Sequence, residues 1–148
     1  MKKNYPRNMI GYGSKMPVIK WPNNAKLALQ IVLNYEEGSE NCVLHGDGHS
    51  ETFLSEMVGA LPVKGRNVNM ESLYEYGSRA GFWRVHEIFQ EKKIPLTIFG
   101  VGMALEKNQE ICNSIKESDY EVASHGWRWI DYQNISKHNE KKHMHLAI

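Results

Sequence analysis

Leu27-Ala28-Leu29-Gln30-Ile31-Val32-Leu33 is a nearly continuous apolar run that halts at Asn34-Tyr35-Glu36-Glu37-Gly38, and its reading decides the fold. A run of that length without polar alternation predicts a strand buried on both faces, as in a parallel sheet covered on two sides. Residues 72–93 then carry Leu73, Tyr76, Ala80, Trp83, Val85, Ile88 and Phe89 close to a helical stripe, weakened in its first half by Gly77 and Gly81. Pro95 precedes Leu96-Thr97-Ile98-Phe99-Gly100-Val101, a second apolar strand. Residues 104–117 read as a second helix with Leu105, Ile111 and Ile115 inward, and Tyr120-Glu121-Val122-Ala123-Ser124 as a third strand. Strands alternating with helices call for parallel strands joined by right-handed crossovers, so the class is α/β, an open sheet or a β/α barrel.

The flanks are less regular. Residues 1–26 hold Pro6, Gly11, Gly13, Pro17 and Pro22 among Tyr12 and Trp21, which predicts an ordered, irregular arm lying over a domain that occupies residues 27–148. Residues 38–70 form a long mixed loop with a short helix expected at 51–58, and connections that long are functional or disordered. Residues 136–148 read as a helix whose charged start gives way to Met144, Leu146, Ala147 and Ile148, cut off without a cap as its apolar face begins.

Composition narrows the function classes. With 41% apolar and 10% aromatic residues in 148, the chain can bury one real core. Eighteen Lys plus Arg against seventeen Asp plus Glu, mixed along the chain, provide no stripe for nucleic acid or membrane, so the expected partner is a small molecule or another protein. Cys42 and Cys112 are far apart and belong to no CxxC pair, which argues against a disulfide scaffold or zinc ribbon. Neither a leader-like apolar stretch nor a membrane-spanning run is present, and a cytoplasmic location is expected.

In parallel α/β folds reacting groups gather at the carboxyl ends of strands. Glu36-Glu37 ends the first strand and Ser124-His125 the third, so the fold would bring a carboxylate pair and an imidazole to one rim, an acid/base constellation. Adjacent carboxylates on an extended strand point in opposite directions, so one can face the centre while the other orients a neighbour. The plain alternatives are a solvated Glu-Glu-Gly turn and a hydrogen-bonded structural histidine. His45-Gly46-Asp47-Gly48-His49 has metal-clamp spacing, but its glycines favour a solvent loop, and His138, His143 and His145 read as a solvated helix face.

Asn34-Tyr35-Glu36-Glu37-Gly38 stands where polysaccharide deacetylases, the NodB-homology group, carry Thr-Phe-Asp-Asp-Gly, and Ser124-His125-Gly126-Trp127-Arg128-Trp129 stands where they carry Ser-His-Ser/Thr-x-x-His. The chain resembles their metal-independent allantoinase branch still more closely. That likeness runs through Tyr5-Pro6-Arg7, Cys42-Val43-Leu44-His45-Gly46-Asp47, the run Met70-Glu71-Ser72-Leu73-Tyr74-Glu75-Tyr76-Gly77-Ser78-Arg79-Ala80-Gly81 and the stretch from Ser124 to Tyr132. The resemblance implies the N-terminal half of an incomplete, distorted (β/α) barrel of the NodB-homology type, too short to be active by itself. It also implies hydrolysis of a non-peptide carbon–nitrogen bond, specifically ring opening of allantoin to allantoate.

Metal-dependent members of that group hold a divalent metal with the second Asp and two His, leaving a position open for water. The corresponding places here are Glu37, His125 and Trp129, and an indole offers no ligand lone pair. The resemblance therefore implies no metal and no cofactor. By the same resemblance Glu36 activates water, Glu37 orients substrate or water, and His125 donates a proton or supports an oxyanion. Trp129 is an apolar wall, Tyr35 a further substrate contact, and Arg79 a planar fork for a ureide carbonyl, with a helix-start salt bridge as its bland alternative. Arg128 and Asp131 are expected to form a local structural pair. The expected ligand is a small ureide or amide. An uncovered edge strand and apolar helix faces point to a second copy, or a separately supplied C-terminal half, as partner. Two other readings stay open: a non-catalytic remnant or half of a split protein, and a metal-dependent deacetylase of N-acetylated sugars.

Overall fold

The computed structural model describes residues 6–148, so Tyr5 and the first residues of the arm lie outside the described residues. Three parallel strands, β1 (Val32–Tyr35), β2 (Thr97–Gly100) and β3 (Glu121–Ser124), form one sheet in the order β1-β2-β3. A long loop and a helical stretch join β1 to β2: α1 (Val68–Tyr76), a π-helical turn (Gly77–Gly81) and α2 (Phe82–Lys92). Helices α3 (Gly102–Glu106) and α4 (Gln109–Glu117) join β2 to β3, and α5 (Lys137–Leu146) follows. Among the described residues no helix is long and apolar enough to cross a membrane.

The core lies between the sheet and its crossover helices, where Tyr35, Phe82, Leu96, Ile98, Val101, Ala104, Ile111 and Ile115 are buried together. The central strand behaves as its apolar run predicts, with Ile98 wholly removed from solvent. The first run does not. Leu27 and Leu29 are 75% and 78% exposed, and only Val32–Tyr35 pair as strand. Among the described residues β1 is an edge strand paired with β2; Ile31 packs against the core, but Leu27 and Leu29 stay exposed, since an apolar run reports hydrophobicity, whereas burial needs a neighbour.

Other boundaries also moved for local reasons. The first helix begins at Val68 because the Asn67 side chain accepts from the Met70 N–H at 3.3 Å. The helix expected over 104–117 breaks at Lys107, where the Asn108 side chain accepts from the Ile111 N–H at 3.2 Å and starts α4. No helix forms at 51–58. The Glu51 carboxylate accepts the backbone N–H groups of Thr52 and Phe53, both at 2.9 Å, and holds turns instead, with Leu54 left-handed at φ 64°. Among its described residues the arm leaves its apolar side chains exposed, Ile10 and Val18 included; Pro22–Asn24 form a short 3-10 turn with Asn23 left-handed at φ 56°.

Ile98 packs in the middle of the central strand, so Ile98→Ala leaves a void no edge residue can fill. We expect a loss of about 2–5 kcal/mol in unfolding free energy, measured by urea denaturation.

Candidate active site

The site begins with strand register. Tyr35, Gly100 and Ser124 stand side by side across the sheet, so Glu36, Val101 and His125 leave it at one level. The Val101 N–H donates to the Tyr35 carbonyl at 3.0 Å and the His125 N–H to the Gly100 carbonyl at 3.0 Å, which carries that level into the loops. Although β1 and β3 are not neighbours, His125 Nε2 thereby comes to 2.9 Å from Glu36 Oε1. The same oxygen accepts from Asn34 Nδ2 at 2.8 Å. Both members of the pair are partly sheltered, with 37% and 22% of their side-chain surface exposed.

Glu37 points the other way. Its Oε2 accepts the Glu36 N–H at 3.2 Å, and its carboxyl group rests over Gly77, where an added Cβ would stand 2.7 Å from Glu37 Cδ. The glycine that weakens the helical stripe is thus the position that gives this carboxylate room, at the first residue of the π-helical turn. The acid turn is closed by Gly38 at φ +95°, whose N–H donates to Glu40 Oε2 at 2.7 Å, and by the Ser39 hydroxyl, which donates to the Glu36 carbonyl at 2.5 Å.

Glu36, Glu37, Glu40, Leu54, Tyr74 and Trp129 line a cleft of about 90 Å³. Trp129 also walls an adjoining groove of about 540 Å³, which takes in His125, Phe53, Asp131 and Tyr132. The Phe53 and Trp129 rings lie 5.8 Å apart. Tyr74 donates to the Phe53 carbonyl at 2.6 Å; burial, and then the carboxylates of Glu51, Glu40, Glu36 and Glu37, push its ionisation well above the usual tyrosine range. The cleft therefore offers carboxylate acceptors, a neutral phenol and an indole face.

A charged latch holds the loop that carries this wall. Arg128 Nη1 and Nη2 donate to the two Asp47 carboxylate oxygens at 2.9 and 2.6 Å, and Nη2 also donates to the Glu40 carbonyl at 2.8 Å. The Trp129 N–H donates to the Ser39 carbonyl at 3.1 Å, and Glu40 and Trp129 form an isolated parallel bridge. Three expectations fail here. Arg128 does not pair with Asp131, which accepts from the Gln133 N–H at 2.8 Å instead; the Glu40–Trp129 bridge brings the Glu40 carbonyl and the Asp47 carboxylate within reach of its guanidinium. The His45–Asp47 segment is not a solvent loop: His45 Nδ1 lies 3.1 Å from the Glu40 carbonyl oxygen and Nε2 2.8 Å from Lys107 Nζ. His143 leaves the solvated face of α5, standing edge-on to Tyr132 with Nδ1 3.0 Å from its hydroxyl; burial and the nearby Arg128 lower its pKa.

Two expected substrate contacts lie outside the cleft. Tyr35 is buried edge-on to Phe82 at 5.9 Å; its sealed hydroxyl lies near Asn108 without a well-formed hydrogen bond, and burial pushes its pKa up to about 12. Strand alternation sends it into the core, away from Glu36. Arg79 is 76% exposed and pairs with Glu75 at 2.8 Å, the salt bridge of its bland reading. Sequence reasoning missed Leu54 and Glu40 for want of any local motif; it quoted Asp47 and Tyr74 within longer strings without giving either a place in the site, and it missed the role of Gly77 although a helical glycine close after an acid-ended strand is a readable signal.

The donor set does not fit a metal. Of Glu37, His125 and Trp129, the indole has no lone pair to give, His125 Nε2 is turned to Glu36, and Glu37 is turned to Gly77. Among the described residues no group of three His, Cys, Asp or Glu side chains is gathered for one. Cys42 and Cys112 are both free.

Gly77 has helical φ −57°, so alanine suits its backbone and is the better helix former by about 1 kcal/mol. Gly77→Ala is expected to keep or raise the melting temperature while displacing the Glu37 carboxylate, checked by calorimetry and a crystal structure of the variant. For Asp47, the hydrogen bond from Arg128 holds the carboxyl below its ordinary value, so its stabilising contribution is present above the unfolded pKa and fades as pH falls through the lower folded one. Asp47→Asn should cost about 1–3 kcal/mol at pH 7 and progressively less below about pH 4, followed by denaturation at several pH values.

The polysaccharide deacetylase family profile matches residues 69–147. A protein of Schizosaccharomyces pombe named for that family is 40% identical over 146 residues, covering 96% of this chain and 45% of its own length. The crystal structure of Puue allantoinase superposes with a TM-score of 0.89 at 53% identity, over 99% of this chain and 49% of that one. A Pseudomonas aeruginosa PAO1 structure, likewise named for polysaccharide deacetylase, superposes at 0.88 with 54% identity, over 97% and 48%. The chain thus spans about half the length of the relatives it matches. Its fold is α/β, an incomplete distorted β/α barrel of the NodB-homology type. By sequence profile and by structure, the chain belongs to the polysaccharide deacetylase family.

Proposed function

We propose that this chain carries the acid/base half of a metal-independent hydrolase of non-peptide carbon–nitrogen bonds, with a small cyclic ureide such as allantoin as substrate. The observation that carries the reading is the 2.9 Å contact of Glu36 with His125 beside an indole where a metal site would need a third donor. The 53% identity to Puue allantoinase supports it, and the cleft's carboxylates suit the N–H groups of a neutral ureide.

In this reading the Glu36 carboxylate takes a proton from water as the water oxygen bonds to the ureide carbonyl carbon. Glu37 orients that water or the ureide N–H. The carbon–nitrogen bond then breaks, and the leaving nitrogen takes a proton through His125. Trp129 and Tyr74 wall the cleft and limit competing water. Arg79, exposed on the π-helical turn, would reach substrate only by leaving Glu75. A second copy, or a C-terminal half of the kind the longer relatives carry, would complete the rim.

Two family names, the Schizosaccharomyces pombe protein and the Pseudomonas aeruginosa structure, favour a second reading, metal-dependent removal of an acetyl group from an N-acetylated sugar. One assay separates them: allantoin and an N-acetylglucosamine oligomer are offered to the chain, alone and mixed with a C-terminal half, in chelator and in added zinc. Allantoin turnover that persists in chelator, lowered on the order of 100-fold or more by Glu36→Gln, is expected. Turnover of the sugar alone, requiring zinc, would establish the second reading, and no turnover in any mixture would favour a non-catalytic remnant.

A further inference from the structure

We propose that Lys107 is a positioning residue for the Glu36–Glu37 pair, acting on the acid turn through the Gly38 carbonyl; the inference rests on the acid/base reading above. Lys107 stands at the break between α3 and α4, 69 residues from the oxygen it binds. Its ammonium donates to the Gly38 carbonyl and lies 2.8 Å from His45 Nε2. Its stem packs against the same glycine, where an added Cβ would stand 3.6 Å from Lys107 Cδ. Gly38, at φ +95°, is the residue on which the chain reverses directly after Glu37.

Lys107 lines a cavity of about 230 Å³ with Tyr35, Glu37, Glu40, His45 and Asn108, which adjoins the cleft through Glu37, Glu40 and Tyr74. Burial lowers its pKa, and the Glu40 carboxylate opposes that effect. Arg128 donates to the neighbouring Ser39 and Glu40 carbonyls, at 3.4 and 2.8 Å, as well as to Asp47, and Arg79 pairs with Glu75; the Gly38 carbonyl is held by Lys107. Lys107 also binds two segments of one loop at once: Gly38 sits in the acid turn, and His45 adjoins the Asp47 that Arg128 holds. Loss of its donors would free the Gly38–Ser39 peptide, whose Ser39 N–H donates to the Glu36 carbonyl at 3.2 Å, so the turn that carries Glu36 and Glu37 would lose a tether. A misplacement of about 1 Å at a reacting group can cost on the order of 100-fold in rate.

The test uses the 148-residue chain, with whichever second half the turnover assay requires, as wild type, Lys107→Met and Lys107→Arg. Methionine keeps the stem and loses the donors; arginine keeps a cationic donor. We expect Lys107→Met to lower kcat about 10- to 100-fold with KM changed less than about threefold, and Lys107→Arg to recover most of the loss, as positioning effects do. Wild-type kcat in Lys107→Met, or a loss that arginine does not relieve, would overturn the proposal. If the wild type hydrolyses neither substrate, the acid/base reading has failed by itself, and the positioning claim is read by NMR on the same chains. The Gly38 amide and His125 ring signals should then shift in Lys107→Met and return toward wild type in Lys107→Arg; unchanged signals would sink it. Should Lys107→Met not fold, Lys107→Gln, which keeps one amide donor, carries the same readouts.

Discussion

The rim of this molecule depends on the level at which three parallel strands end. Parallel pairing fixes Tyr35, Gly100 and Ser124 abreast, and only then do Glu36 and His125, separated by a whole strand, fall within hydrogen-bond distance. A slip of one residue in β1 would turn Glu36 toward the core and Tyr35 toward the rim, because side chains alternate with period two. The burial of Tyr35 against Phe82 opposes such a slip, so the core residue next to the acid pair is part of what aims it.

Register alone leaves the loops free, and charge holds them. The Arg128 guanidinium binds both Asp47 oxygens and the Glu40 carbonyl, tying the segment after β1 to the segment after β3. Drawing such a pair out of water is costly, and the bidentate geometry together with the extra carbonyl acceptor offsets that cost. Glycine completes the arrangement by absence: Gly77 leaves the space that Glu37 fills, and Gly38 adopts the left-handed bend on which the acid turn closes. The π-helical turn that begins at Gly77 is where the long helix yields to the site.

Hydrophobic coverage is uneven in a way that suits a section of a larger barrel type. Ile98 of the central strand, Phe82 of α2 and Ile111 and Ile115 of α4 are buried, whereas Leu27, Leu29, Val58 and Ile148 stand in solvent. Apolar surface of that kind is where further protein packs in complete domains. In the cleft, meanwhile, Glu36, Glu37 and Glu40 stand beside a phenol and an indole, and together with Glu51 outside it they add to the burial that raises the ionisation of Tyr74.

The sequence by itself determined the α/β class, the three strands and the presence of a carboxylate pair and an imidazole at strand ends, because hydropathic runs and their punctuation are local properties of the chain. It also fixed an indole at position 129, a side chain with no lone pair to give a metal wherever it is placed. Only the tertiary structure decided that Arg128 binds Asp47 and not Asp131, that Tyr35 faces the core, that Lys107 meets His45 and the Gly38 carbonyl, and that Leu27 and Leu29 remain uncovered. Each of these depends on which distant segment arrives as a neighbour, and a hydrogen bond or a buried methyl group reflects distance in space, whatever the separation along the chain.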